Sequence, residues 1–415
     1  MTHLLKSGQL LPVPYFPFML KAVGVLQENP WHVLRLEPEF IPEFSCTGCG
    51  LCCQRPWWIN LTKDYYQQWY QTFDQDPSGL YQQPFVIRPG ATEKSYADIR
   101  RKPGTSECIF LMDDRRCFIH ANYGEEALNH VCRTFPRYEG WFGSFLGNFM
   151  FNSCPEIQPL WHQFPGIRYY VGTINPDKWQ EFCLQTAHPL GLFGGYLWLA
   201  LQLDLFQDSR LSPVQSLRLL GDGLRHMQQQ PLAALTPDWF ESLYLGLRQR
   251  SLEPLPLSDT RPSTLALEQL QILLEPMPSM AAYIGNIASG WRAMPVLEPA
   301  ESELLSRYMS RYLAYRALSA NHYDVAEVDG LNFFYQFYVL LAAQLALLQW
   351  MAIYHRDREG ALLSQDHLMR AITTLGYRYE HSAPLLTMFS RLPAEGCPDA
   401  MDHFLSFDFG GLVHV

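Results

Sequence analysis

The stretch Ser45-Cys46-Thr47-Gly48-Cys49-Gly50-Leu51-Cys52-Cys53 decides how the first third of this chain is organised. Four thiols within eight residues are not ordinary core packing, and Gly48 and Gly50 supply the backbone freedom that a tight wrap around a metal requires. Four further cysteines follow at positions 108, 117, 132 and 154. The predicted metal ligands are therefore Cys46, Cys49, Cys52, Cys53, Cys108, Cys117, Cys132 and Cys154, which are eight of the ten cysteines.

The composition excludes several classes of protein. Hydrophobic residues make up 48% of the 415 residues and charged residues 17%, which is typical of a globular protein and not of a disordered one. The formal net charge of −10 argues against nucleic acid as a partner, because a nucleic-acid-binding surface is basic. A basic partner or substrate suits this charge better.

The start of the chain carries no secretory signal. Residues 1–27 are mildly apolar, but Pro12, Pro14, Pro17 and Lys21 interrupt them and no small-residue cleavage site follows. We therefore expect a cytoplasmic protein. In that reducing compartment a dense set of cysteines points to metal rather than to disulfide bonds.

Short elements are predicted around the cysteines. We expect a strand over residues 55–61, a helix capped by Thr62 that runs to about Phe73, a strand over 84–88, a hairpin over 108–120 and a short helix over 124–132. Trp57 and Trp58 are expected to cover the cysteine site, or to be simple core aromatics, and the two roles are compatible. The basic stretch Arg100-Arg101-Lys102 is interpreted as a solvated loop, with contact to an acidic cofactor or substrate as the alternative.

The rest of the chain has a helical pattern. Helices are predicted to open at Asn175-Pro176, Ser212-Pro213 and Thr236-Pro237, each with a capping residue followed by proline. Residues 332–355 are apolar enough to suggest a membrane span, but Gln336, Gln344 and Gln349 favour a buried central helix, so no membrane span is expected.

These patterns predict a mainly α fold with two domains. Residues 1–165 form an irregular cysteine-rich metal-binding module with short strands, and this module packs on a larger all-helical domain, residues 166–415. The ligand or substrate cleft is expected between the two domains.

The spacing of the thiols leaves two metals open. Zinc prefers four-cysteine sites built from separated Cys-x2-Cys pairs, so eight cysteines could make two zinc sites. Three thiols at x2 spacing with a distant Cys154-Pro155 are typical of ferredoxin-type binding and favour a [4Fe-4S] iron-sulfur cluster. Because Cys52 and Cys53 are neighbours, either two centres form or some of the eight thiols are structural. His120 and His130 are further candidates, with ordinary polar roles preferred.

Two standard methylation folds are not supported by motifs. The Cys-x3-Cys-x2-Cys pattern of radical S-adenosylmethionine enzymes is absent. Cys49 and Cys53 have the spacing of its first two cysteines, but Pro56 stands where the third cysteine is required. The glycines Gly191, Gly194 and Gly195 follow no predicted strand, so they do not make a Rossmann-type signature.

The cysteine pattern nevertheless resembles a known family. The run from Cys46 to Cys53 is similar to the zinc- or iron-chelating cysteine-cluster family of the YkgJ type. A longer pattern is similar to its larger branch, the flagellin lysine-N-methylases, although the first run is tighter here. That pattern consists of Cys108-Ile109-Phe110-Leu111, Cys117-Phe118-Ile119-His120, Gly124, Leu128, Cys132, Phe135-Pro136-Arg137 and Ser153-Cys154-Pro155-Glu156.

The resemblance implies a function and its partners. It implies an iron-sulfur protein that transfers methyl groups from S-adenosylmethionine to lysine side chains of a protein substrate such as flagellin. The alternative hypothesis is a non-catalytic metal-binding protein for electron transfer, redox sensing or metal handling. Binding of S-adenosylmethionine separates the two, because only the first hypothesis requires it.

Overall fold

A computed structural model describes residues 9–28, 34–55, 57–142, 145–173, 190–252, 264–290, 293, 295–319 and 332–380. The strands are β1 (Gln9–Leu10), β2 (Leu34–Pro38), β3 (Asn60–Leu61), β4 (Phe85–Ile87), β5 (Ala97–Ile99), β6 (Arg137–Phe142), β7 (Phe145–Met150) and β8 (Tyr169–Thr173). The helices are α1 (Tyr15–Glu28), α2 (Lys63–Asp74), α3 (Phe118–Tyr123), α4 (His130–Thr134), α5 (Leu160–Gln163), α6 (Gly191–Phe206), α7 (Pro213–Gln228), α8 (Pro237–Arg250), α9 (Thr264–Leu273), α10 (Pro278–Ala288), α11 (Pro299–Ser319), α12 (Asn332–Glu359) and α13 (Gln365–Leu375).

The predicted mainly α fold is confirmed, since 57% of the described residues are helical and 10% are in strands. The chain divides into two compact units. We call Glu43–Tyr138 the cysteine unit, and Met1–Pro42 together with Glu139–Val415 the helical unit. This division differs from the domains 1–165 and 166–415 that the sequence suggested, because the first 42 residues and the segment after Tyr138 group with the later helices.

Strand pairing explains why the two ends of the N-terminal third belong to the helical unit. A five-stranded sheet has the order β1-β8-β2-β7-β6. Strand β2 pairs antiparallel with β8 over five residues and parallel with β7, and β1 pairs antiparallel with β8. Four strands of this sheet lie within residues 1–165, where short strands were predicted, and among the described residues of the predicted all-helical domain, residues 166–415, only β8 is a strand.

A buried carboxylate fixes helix α1 to the helical unit. Asp204 of α6 accepts hydrogen bonds from the backbone N–H groups of Tyr15 (2.6 Å) and Phe16 (2.9 Å), the first residues of α1. These N–H groups have no partner within their own helix, so the carboxylate satisfies them and complements the helix dipole. Burial raises the pKa of Asp204, and the two N–H donors oppose that rise.

Two of the three predicted helix starts are confirmed. Ser212 caps α7 in a capping box with Gln215, and Thr236 caps α8 by accepting from the N–H of Trp239 at 3.3 Å. Proline follows each cap, where its missing N–H is not needed. The third predicted helix, opened by Asn175-Pro176, lies outside the described residues.

Helix α12 lies at the centre of the helical core. Its apolar segment Phe337–Glu359 is long enough to cross a membrane by length and composition, but its 18-residue apolar window is 94% buried inside the protein. This burial agrees with the predicted central helix. Full burial of each large apolar side chain contributes about 1.5–3 kcal/mol, and Trp161, Trp198 and Trp350 are all fully buried in this unit.

The cysteine unit has much shorter elements. Its sheet has three strands in the order β3-β5-β4, and α2, with 12 residues, is its longest described helix. Thr62 caps α2 as predicted by accepting from the N–H of Tyr65 at 3.3 Å.

Two predictions for the cysteine unit are wrong in detail. The hairpin expected over residues 108–120 is reduced to one isolated bridge between Leu111 and Cys117, because the chain continues from Cys117 into α3. The helix expected over residues 124–132 is broken at Leu128, whose extended backbone separates the short 3-10 turn Glu125–Ala127 from α4.

Candidate metal centre

The first cysteine run folds back tightly on itself. Gly48 and Gly50 have positive φ angles of 71° and 69°, and the N–H of Cys53 donates to the Gly50 carbonyl at 3.0 Å in the short 3-10 turn Leu51–Gln54. A Cβ atom at Gly50 would overlap the carbonyl oxygen of Arg115, whereas one at Gly48 would meet open space. The predicted role of the glycines in the wrap is confirmed, and at Gly50 the reason is close approach as well as backbone freedom.

Three thiols form a hydrogen-bonded chain at the inner end of the run. The N–H of Cys108 donates to the Cys53 carbonyl at 2.7 Å, which brings the two segments together. The Cys53 thiol interacts with the side chains of both Cys108 and Cys52. The hydrogen bond with Cys53 lowers the pKa of Cys52 to about 7 and lowers that of Cys108, while the pKa of Cys53 is raised. Cys53 therefore holds its proton more tightly than its two neighbours do.

Two further thiols lie close enough to feel these charges. Burial raises the pKa of Cys117, which immediately precedes α3, and negative charge on Cys108 and Cys52 raises it further. Burial also raises the pKa of Cys132 on α4, with charges on Cys108 and Cys117 adding to the effect. Five of the predicted ligands thus occupy one neighbourhood of the cysteine unit.

Asn129 orients the Cys132 thiol. Its side-chain Nδ2 donates to Cys132 Sγ at 3.0 Å, and its Oδ1 accepts from the N–H of Cys132 at 3.1 Å as the cap of α4. A cap that also holds the sulfur sets the direction of the thiol at the start of a short helix. The sequence interpretation did not include Asn129, although an asparagine three residues before a cysteine is a typical capping pattern.

The remaining predicted ligands differ in exposure. Cys46 is exposed and accepts from the N–H of Gly48 at 3.4 Å, and Cys49 is half-buried. Cys154 is buried in the helical unit, where its N–H donates to the Phe151 carbonyl at 3.1 Å. Their assignment as ligands stays a prediction. His120 and His130 are exposed, which agrees with ordinary polar roles.

Aromatic side chains surround the inner thiols. Cys108 belongs to a buried cluster with Phe73, Phe85 and Phe110, and rings stack or meet edge to face within it, with centroids 5.2 Å apart for Phe73 and Phe110. The expected cover of two tryptophans is corrected for Trp58, which is 75% exposed. The cover comes instead from rings of α2 and of the segments that follow it.

Tyr65 is the aromatic residue with the closest electrostatic link to the thiols. Its hydroxyl donates to the Ala127 carbonyl at 2.7 Å. Burial raises its pKa, and negative charge on Cys132, Cys117 and Cys108 raises it further. The sequence signal that could have identified these aromatic residues is the spacing of Tyr65, Trp69 and Phe73. Residues four apart share a helix face, so the three rings lie on one face of α2.

The donors in this part of the chain are thiols that are not joined to one another. All eight cysteines of the described residues are free thiols. In the same part of the chain, no three or more His, Cys, Asp or Glu side chains are arranged to hold a metal ion. Sulfur donors at this density suit zinc or iron. Four of them, Cys53, Cys108, Cys117 and Cys132, belong to or pack against the aromatic cluster.

Comparison with known proteins gives a partial likeness. The chain is 27% identical over 123 residues to flagellar biosynthetic protein FliU of Salmonella muenchen, covering 29% of this chain and 72% of that protein. It is equally similar to lysine-N-methylases of Salmonella typhimurium and Salmonella choleraesuis, of which the match covers 30%. No protein-family model matches the chain, and no solved structure matches it.

These comparisons support the methylase branch of the resemblance. The curated relatives are a flagellar biosynthetic protein and two lysine-N-methylases, and the chain spans less than a third of each methylase. The likeness to the YkgJ-type cysteine-cluster family continues to rest on the cysteine pattern alone.

Proposed function

We propose that this protein is a metal-dependent, lysine-N-methylase-like protein whose cysteine unit holds a thiolate-bound centre. The first candidate for that centre is a [4Fe-4S] cluster, and zinc is the alternative. The observation that carries the proposal is the convergence of four thiols, those of Cys53, Cys108, Cys117 and Cys132, on one aromatic cluster, with Cys52 beside Cys53.

The electrostatics of these thiols favour a bound cation. Burial and then nearby negative charge raise the pKa values of Cys117 and Cys132, and hydrogen bonds with Cys108 and Cys52 raise the pKa of Cys53. Several thiolates together are therefore unstable without a compensating charge. A metal ion supplies that charge and holds thiolates in the deprotonated form that binds it. Without a metal, these thiols would be only weak hydrogen-bonding groups in the core, and they would add little to its packing.

The protein acceptor follows from the relatives and from the distribution of charge. The cysteine unit contains 11 Lys and Arg and 11 Asp and Glu, so the whole net charge of −10 belongs to the rest of the chain. A negatively charged protein associates faster with a protein substrate that carries lysine side chains, because opposite charges attract over long range. We propose a flagellin-like protein as the substrate and S-adenosylmethionine as the methyl donor, because two relatives are named lysine-N-methylases.

The metal is tested by anaerobic purification of the full chain, followed by metal and sulfide analysis and a visible spectrum. About four irons and about four sulfides per chain with a brown colour are expected for one cluster. Cys108→Ser should lose most of the metal, whereas Cys397→Ser, outside the predicted ligand set, should keep it. Protein that binds neither iron nor zinc under these conditions would remove the proposal.

Methyl transfer is tested separately on metal-loaded protein. Titration calorimetry should detect S-adenosylmethionine binding, and mass spectrometry of a flagellin substrate should show lysine residues heavier by a methyl group. Loaded protein that binds no S-adenosylmethionine would overturn the methylase proposal and leave the non-catalytic metal protein.

A further inference from the structure

The three residues of the basic stretch Arg100-Arg101-Lys102 have different environments. Arg100 is exposed, and its Nη1 donates to the Gln82 carbonyl at 3.3 Å. Lys102 forms an ion pair with Glu107 at 3.2 Å. The Nη2 group of Arg101 is buried and has no hydrogen-bond partner within the described structure. One cation of the three is therefore turned inward with a free donor.

The backbone aims Arg101 at the thiols. Arg101 and Cys108 form an isolated antiparallel bridge, flanked by the hydrogen bonds from Ile109 N–H to the Arg100 carbonyl (3.0 Å) and from Lys102 N–H to the Glu107 carbonyl (2.9 Å). Residues directly opposite each other in such a pair carry their side chains on the same face. Arg100, one residue earlier, is directed to the other face.

The surroundings of Cys108 agree with this placement. Cys108 is buried and belongs to the aromatic cluster, so a positive charge opposite it acts with little screening by water.

We propose that Arg101 is the positioning residue that offsets the negative charge of the thiolate centre, with its free N–H directed to a sulfur acceptor when the metal is bound. This inference rests on the proposed metal centre and assigns the counter-charge within it. A guanidinium suits the role because it stays charged at all relevant pH values and carries five donors in a fixed plane. A buried donor without a partner is unfavourable, and an anionic sulfur site would satisfy it.

The experiment measures zinc affinity of the full chain, after metal removal under anaerobic conditions, by competition with a chromophoric chelator. Zinc alone is the probe, since any centre built from these thiolates will bind it. R101Q should weaken binding about 10-fold to 100-fold, the range found when a group that supports metal ligands is lost. R100Q removes the same charge from the exposed face of the same segment and should leave the affinity close to that of the unmodified protein. R101K keeps the charge and should restore most of the affinity.

The outcomes separate this inference from the proposed function. If the unmodified chain binds no zinc, the metal centre itself fails, and the inference with it. If it binds zinc and R101Q behaves like R100Q, Arg101 has no role at the centre. An equal loss in R101K and R101Q would overturn the assignment of charge as the cause. Circular dichroism checks folding, and R101M, which keeps the apolar stem, replaces R101Q should that variant not fold.

Discussion

The two units of this chain obtain their stability in different ways. The helical unit has long elements, with α12 running for 28 residues and α11 for 21, and it buries tryptophan, tyrosine and leucine side chains completely. The cysteine unit has strands of two or three residues, and its α3 and α4 contain six and five residues. Helices this short are not stable by themselves, so their geometry depends on tertiary contacts.

The contrast indicates which unit the proposed metal would stabilise. A core of long helices gains enough from apolar burial to fold without a cofactor, and the helical unit is large enough for this. The cysteine unit builds its core from aromatic rings packed around thiols, and its helices and strands are short. Metal binding can supply the missing stability directly, because ligands that come from distant segments are joined on binding.

The largest effect is expected when the metal is removed. In Cys108→Ser, or after chelation, amide protection measured by hydrogen exchange should be lost across the cysteine unit, while α12 in the helical unit keeps its protection. Cys397→Ser is the control. A cysteine unit that stays protected without metal would break the comparison, because its aromatic core would then suffice.

The next effect concerns the apolar core of the helical unit. Leu220 on α7 is fully buried, whereas Leu245 on α8 is 59% exposed. Leu220→Ala should lower the free energy of unfolding by about 2–5 kcal/mol through lost burial and a residual cavity. Leu245→Ala should stay within about 0.5 kcal/mol of the unmodified protein. Denaturant unfolding measures both, and equal effects would show that this core is not where the unit gains its stability.

The glycines of the first cysteine run allow a matched test within the cysteine unit. Both have positive φ, so an alanine at either position is strained by about 1–2 kcal/mol. Only Gly50 also approaches the Arg115 carbonyl oxygen. Gly50→Ala should therefore destabilise the metal-loaded unit by about 1–3 kcal/mol more than Gly48→Ala. Thermal unfolding at saturating zinc measures the difference, and identical melting temperatures would show that the run does not pack on the Arg115 turn.

Sequence patterns predicted those elements whose signals are local. Ser212 and Thr236 mark their helix starts because a cap and a following proline act on the adjacent turn. The five-stranded sheet was missed because β2 and β8 pair across more than a hundred residues, and neither strand shows its partner in its own sequence. The short helix α3 replaced a predicted hairpin arm because tertiary packing around Phe118 outweighed the apolar pattern.

The sequence predicted which residue type makes up the candidate site, but not which of these residues lie together. Clustered cysteines identified the neighbourhood, because thiols at this density in a reducing compartment are typical of metal binding. Which thiols meet depends on the contact between Cys53 and Cys108, which lie 55 residues apart and which no local pattern links. Arg101 was interpreted as part of a solvated loop because three consecutive basic residues look alike in sequence, and only the bridge to Cys108 distinguishes the middle one.

The smallest effect is expected when the same kind of helix N-cap is removed in each unit. Thr62 caps α2 and Thr236 caps α8, and each hydroxyl accepts from the N–H three residues later at 3.3 Å. Replacing either with alanine removes about 1 kcal/mol of helix stability. If zinc binding and folding of the cysteine unit are coupled, the free energy lost from folding of the unit is also lost from binding. Thr62→Ala should then weaken zinc affinity about fivefold, which corresponds to about 1 kcal/mol. Thr236→Ala should lower denaturant stability of the helical unit and leave zinc affinity unchanged. Equal zinc affinities for the two variants would mean that the cysteine unit is already folded before the metal binds.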